Sequence, residues 1–234
     1  MEENKNNENN ITESDKYNIE ILPSEISKSD LSCKIIILGD SGVGKSSLSY
    51  KVVKNEFKEQ ITTLGIEILS YNVKINNKII KLQIHDTCGQ EVYRALISGY
   101  YRNVTLAILM YAINNKESFN QIKKWLDDLK KLAPPDIIII LVGNKADLEE
   151  ERNVTREEGE KFKEDNKLDL FMETSAKTGN NANNVLIEAA KLLYENYNIM
   201  EEQMKEKEKN KNISINNEEQ KEENKEKKKC CSKS

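Results

Sequence analysis

Three short polar stretches carry residue types spaced for chemistry. The first, Gly39-Asp40-Ser41-Gly42-Val43-Gly44-Lys45-Ser46, has the pattern G-x-x-x-x-G-K-S. Glycines here let main-chain N–H groups turn toward an anion with no Cβ in the way. Lys45 supplies a point charge for terminal phosphates and the Ser46 hydroxyl an oxygen for Mg2+. A helix opening near Lys45 adds the positive end of its dipole. Asp40, Ser41, Gly42, Val43, Gly44, Lys45, Ser46 and Ser47 are therefore the candidate phosphate-binding residues.

The second stretch is Asp86-Thr87-Cys88-Gly89-Gln90-Glu91. An acid at the end of an apolar strand, downstream of a phosphate loop, can hold Mg2+ through water. Gly89 offers an N–H that can approach a terminal phosphate closely, and Gln90 can orient a water because it both donates and accepts. The third stretch is Asn144-Lys145-Ala146-Asp147. The Asp147 carboxylate can accept two parallel hydrogen bonds from the N1–H and exocyclic amine of guanine. Adenine lacks both donors, which argues against an ATP-using enzyme. Asn144 can tie this loop to the phosphate loop, and the Lys145 stem can lie over a base. In Thr174-Ser175-Ala176-Lys177, a small residue such as Ala176 lets a backbone N–H approach a base carbonyl.

The elements that must position these stretches follow from hydrophobic pattern. Lys34 to Leu38, with the β-branched Ile35, Ile36 and Ile37, reads as a buried strand leading into the first motif, and Leu48, Val52 and Val53 suit a helix after it. Asn55 to Gly65 reads as a loop that contains Phe57 and Thr63. Strands over 66–75 and 79–84 flank Asn76-Asn77, which suits a tight antiparallel hairpin. Val104 to Tyr111 and Ile137 to Val142 read as buried strands, the latter central and parallel. Phe119, Ile122, Trp125 or Leu126, Leu129 and Leu132 form a helical stripe, in which Trp125 reads as core. Pro134-Pro135 ends that helix. Thr155 to Glu158 forms a capping box for a helix reaching about Asn166. Leu168 to Met172 is a short strand, and 185–197 an amphipathic closing helix. Every motif follows a strand, at the carboxyl edge where ligands bind in doubly wound parallel sheets.

The chain has 234 residues, 37 % hydrophobic and 32 % charged, with a formal charge of −4. The hydrophobic deficit sits at the ends, so 1–30 is expected to be a disordered polar extension, 31–200 one domain, and 201–234 a disordered tail. The acidic balance argues against a nucleic-acid partner. No secretory leader and no membrane span is expected. Cys33, Cys88, Cys230 and Cys231 form neither a disulfide framework nor a zinc pattern, which fits a reducing compartment.

Taken together, these residues resemble the Rab group of Ras-like small GTPases. The matching stretches are GDSGVGKSSL (39–48), TLGIE (63–67), KLQIHDTCGQE (81–91), YYRN (100–103), ESFNQIKKWL (117–126), LVGNKADL (141–148) and ETSAK (173–177). The resemblance implies a P-loop GTPase fold of the α/β class, a six-stranded mostly parallel sheet with helices on both faces. It implies a switch between GTP and GDP states, with Mg2+ as cofactor. Lys45 and Ser46 would hold phosphates and metal, and Thr63 would be the switch I metal ligand, with Thr62 as a competitor. Asp86 and Gly89 would open switch II, and Gln90 would position the attacking water. Phe57 would pack on guanine, with Asn144, Lys145 and Asp147 reading the base and Ser175, Ala176 and Lys177 behind it.

The chain departs from the family pattern in places. The stretch from Ser46 to Thr63 is one residue short, and Cys88 replaces an alanine. Ile68 and His85, on the surface-facing register, replace two aromatics of an effector-facing triad of which Tyr100 remains. A GTP-binding scaffold with little or no hydrolysis is the competing function. The Cys230-Cys231 ending resembles the doubly geranylgeranylated terminus of the family, and two lipid chains hold a membrane firmly. From Lys225 to Lys233 five lysines stand against one glutamate, each lysine adding about 1 kcal/mol near an anionic leaflet. The implied partners are an exchange factor, an activating protein, a GDP-dissociation inhibitor or escort protein, and effectors. The implied place is the cytoplasmic face of an intracellular membrane, cycling with cytosol, in vesicle traffic.

Overall fold

A computed structural model describes residues 17–57, 66–87 and 101–205. The chain divides into two units, Met1–Leu193 and Tyr194–Ser234. The first is built on a mixed sheet of β1 (Ile19–Leu22), β2 (Leu31–Leu38), β3 (Ile66–Ile75), β4 (Lys78–Thr87), β5 (Leu106–Ala112), β6 (Ile138–Asn144) and β7 (Leu170–Glu173). Its helices are α1 (Lys45–Lys54), α2 (Lys116–Leu132), α3 (Arg156–Asn166) and α4 (182–193).

The strand order is β1-β3-β4-β2-β5-β6-β7. From β4 to β7 all neighbours are parallel, while β3 runs antiparallel to both β4 and β1. The β3–β4 connection is the expected two-residue turn, with Asn76 at φ 53°. Period-2 alternation sorts β2 onto two covered faces. Ile36 and Leu38 join the core beneath α2 with Ile122, Trp125, Leu126 and Leu129. Ile35 and Ile37 point the other way and are buried as well. Leu132, at the end of the expected stripe, is 49 % exposed because the helix stops there, before Pro134. The capping box on α3 forms as read: Thr155 Oγ1 accepts from the Glu158 N–H, and the Glu158 carboxylate accepts from the Thr155 N–H.

Among the described residues the sheet has seven strands, where six were expected. The extra one, β1, lies inside the stretch read as a disordered extension. Side-chain burial does not order it, since Glu20 and Ile21 are exposed. Main-chain pairing does: Ile19 to Leu22 pair with Ile75 to Asn72 on the open side of β3. Asn76 N–H donates to the Asn18 carbonyl at 2.8 Å, and Asn72 Nδ2 donates to the carbonyls of Pro23 and Ser24. Asp30 then bonds both ways with Ile79.

In the second unit, 194–205 is helical, five residues beyond the expected domain end. Glu201, Glu202, Gln203, Met204 and Lys205 are good helix formers, and Lys205 pairs with Glu201 at 3.2 Å, one turn apart. No helix among the described residues is long and apolar enough to cross a membrane.

Candidate functional site

Strand ends bring the first and third motifs together. β2 delivers the loop that begins at Gly39, and β6 delivers Asn144. Gly39 takes φ +146°, and a Cβ there would lie 2.1 Å from the Met110 carbonyl, so the loop leaves the sheet wedged against β5. Gly44 takes φ +95°, and a Cβ there would lie 2.3 Å from Asn144 Nδ2. No other residue type fits both the angle and that approach. Lys45 opens α1 and is buried; its Nζ donates to the carbonyls of Gly39 (2.8 Å) and Asp40 (2.9 Å). The ammonium is thus folded across the mouth of its own loop. Ser46 is buried in the first turn of α1, Ser47 half-buried, and Ser41 and Gly42 exposed.

Asn144 staples three segments. Its Nδ2 donates to the Val43 carbonyl at 2.8 Å, while its Oδ1 accepts from Ala176 N–H at 3.1 Å and from Thr174 Oγ1 at 3.5 Å. The bond to Val43 ties the loop after β6 to the loop after β2. Ser175 Oγ donates to Asp147 Oδ1 at 2.6 Å and accepts from Thr178 N–H at 3.0 Å. The hydroxyl proton is therefore committed to Asp147, whose other carboxylate oxygen is left for a second partner set. Lys145 is half-buried at φ 64°, and Lys177 and Phe57 are exposed.

Asp86 sits fully buried at the end of β4, in register with Ile37 of β2. Next to it, Thr87 Oγ1 donates to the Ile37 carbonyl at 2.6 Å. The Asp86 carboxylate and the Ser46 hydroxyl are hard oxygens of the kind Mg2+ takes alongside phosphate oxygens, so the donor set fits that ion. Thr62, Thr63, Cys88, Gly89, Gln90, Tyr100, Cys230 and Cys231 lie outside the described residues.

Of the expected effector-facing residues, Ile68 is 60 % exposed. His85, its cross-strand partner, is only 7 % exposed, which corrects the surface-facing reading. Register puts both on one face, but His85 is on an inner strand, between β3 and β2. Burial first, and then the Lys34 ammonium, hold its imidazole below the ordinary range. The unfolded chain therefore takes up a proton near pH 6.5 that the folded chain refuses. Stability is expected to be full above that pH and to fall as pH drops toward the folded value. Urea unfolding at pH 7.5 and 5.5 checks this: His85→Gln should flatten the difference, since His85 is the sole histidine.

Two contributors were not legible as site residues. Trp125 was read as core, and it is core, but its Nε1 also donates to Asp40 Oδ1 at 2.9 Å. Arg152 donates to Glu173, Glu149 and the Val154 carbonyl, and so braces the strand end from which Thr174 to Lys177 departs. Glu173 and Glu149 raise the Arg152 pKa further above its ordinary value.

A family model described as Ras family matches residues 34–195. The chain is 46 % identical over 165 residues to "Ras-related protein Rab5" of Nicotiana tabacum, covering 70 % of this chain and 82 % of that protein. This chain is a Rab-family small GTPase. "Ras-related protein RHN1" of Nicotiana plumbaginifolia is 45 % identical over 168 residues, 71 % of this chain and 84 % of that one. "Ras-related protein Rab-4" of Dictyostelium discoideum is 46 % identical over 161 residues, covering 68 % and 78 %. The Rab assignment agrees with the resemblance read from the motifs, and the sheet agrees with the Ras-family P-loop fold apart from β1. Ras-superfamily proteins bind guanine nucleotide, and in this Rab-family chain the loops after β2 and β6 meet at one sheet edge.

Proposed function

We propose that this chain is a membrane-traffic switch that binds GTP with Mg2+, hydrolyses it slowly to GDP, and recruits effectors in the GTP state. The observation that carries the reading is the Asp147 carboxylate fixed by Ser175 within a loop stapled to the phosphate loop by Asn144. A fixed acceptor is what reads the N1–H and amine of guanine. Phe57 and the Lys145 stem would flank the base, with Ala176 and Lys177 at its edge.

Residues 40–47 would wrap the phosphates, with Lys45 turning from its own loop carbonyls to the terminal phosphates. Ser46, Asp86 and Thr63 would hold Mg2+, which neutralises phosphate charge when bound. Gly89 would contact the γ-phosphate, and Gln90 would orient the attacking water. An activating protein that contributes an arginine raises such rates by about 10³–10⁵. Ile68 and Tyr100 would face effectors. An exchange factor would release GDP, and an inhibitor or escort protein would carry the lipidated form between membrane and cytosol. Cys230 and Cys231 would hold the lipid chains.

The test is to purify the full chain, denature it and identify the released nucleotide. GDP is expected, and GTP is expected from Gln90→Leu. GTP on the wild-type chain would favour the scaffold reading, and an adenine nucleotide would overturn the base assignment.

A further inference from the structure

We propose that Trp125 is a positioning residue for the phosphate loop: its indole N–H tethers the Asp40 carboxylate to α2 and fixes the turn against which Lys45 rests. The inference rests on the reading of residues 40–47 as the phosphate site.

Trp125 is 0 % exposed and sits in the core with Leu38, Leu109, Leu126 and Leu129, so its ring is immobilised from several sides. Its one polar atom reaches Asp40 at 2.9 Å across 85 positions of sequence. Asp40 is gripped again through its main chain, where the carbonyl accepts from Lys45 Nζ at 2.9 Å. The residue before it is wedged against Met110. The second position of the loop is thus held by a helix, by the loop's own lysine and by a neighbouring strand.

Electrostatics explains what the tether does. A carboxylate in a loop that wraps phosphates has the wrong sign for binding them. Bonded to the indole, it points to α2. An indole N–H in a core needs an acceptor, and packing alone would be met by phenylalanine. The pair therefore satisfies the indole and keeps the negative charge turned to the helix. It also makes α2 part of the loop's support, so a shift of that helix would be felt at Lys45.

The test uses the full chain loaded with N-methylanthraniloyl GDP and Mg2+ and chased with excess GDP. Dissociation rates and thermal midpoints are read for the wild type, W125F, D40A, D40N and W125F/D40A. W125F is expected to speed dissociation about tenfold, the worth of one modest hydrogen bond to a charged group, and D40A by less, because it removes the repelling charge together with the bond. The double variant is expected to match D40A, because with the carboxylate gone the indole has no bond left to lose. D40N keeps an oxygen acceptor for the indole and should recover most of the loss seen in D40A. A W125F that melts earlier yet releases nucleotide at the wild-type rate would overturn the tether, as would a double variant equal to the product of the singles. Should W125F fail to fold, equal rates for D40A and D40N would overturn it. A wild-type chain that takes up no labelled GDP would overturn the site reading and the tether together, and that control separates the two failures.

Discussion

Replacing Asp147 with Asn is expected to weaken GDP binding by about 10²–10⁴. Two hydrogen bonds from guanine to a carboxylate, each worth about 1.5–3 kcal/mol, set that range. The local geometry makes the change worse than neutral. Ser175 Oγ accepts from Thr178 N–H, so its own proton must find an acceptor, and Asp147 Oδ1 is that acceptor at 2.6 Å. An asparagine would turn its Oδ1 to Ser175 and present its amide NH2 to the base. Donor would then face the donors of guanine. A base with a carbonyl at C2, such as xanthine, would accept from that amide. Calorimetric titration with GDP and with xanthosine diphosphate checks both halves. Unchanged GDP affinity would remove Asp147 from the base-reading role.

The second large effect is expected at Asn144. Asn144→Ala removes one acceptor and one donor that together hold Val43, Thr174 and Ala176. The site is buried, so water cannot substitute freely. The Val43 carbonyl and the Ala176 N–H each lose their partner, at about 1–3 kcal/mol apiece, giving roughly 2–6 kcal/mol in all. The loss is expected to fall on both folding and nucleotide retention, because the same side chain joins the loop after β2 to the loops after β6 and β7. Urea unfolding and nucleotide dissociation should therefore shift together. A variant that unfolds earlier but holds GDP as before would mean that the loops do not need the staple. Asn144→Asp should be no milder, since it sets a carboxylate oxygen against the Val43 carbonyl.

Local spacing made much of this site legible. Lys45 and Ser46 follow two glycines in one short pattern, and Asn144 with Asp147 follows a strand so apolar that its end is unmistakable. The parts that were missed depend on contacts far apart in sequence. Trp125 lies on an apolar helical stripe, and hydropathy cannot show that its one N–H has a carboxylate to meet. Arg152 sits in a polar segment, and only the fold brings Glu173 to it. For His85 the alternation in β4 gave the face correctly but not the depth, because depth depends on what covers that face. The first strand escaped notice because Ile19-Glu20-Ile21-Leu22 has no buried side to leave a pattern; its order comes from main-chain bonds to β3.

That first strand also bears on how the molecule behaves in concentrated solution. The outer side of β3 from Asn72 to Ile75 is a row of N–H and C=O groups, and an uncovered row of that kind invites another molecule to add a strand. β1 occupies those positions, and Pro23, directly after it, has no N–H to extend the ladder. Trimming the chain to begin at residue 31 would strip this cover and invite edge-to-edge aggregation, even though every residue of the proposed nucleotide site would remain.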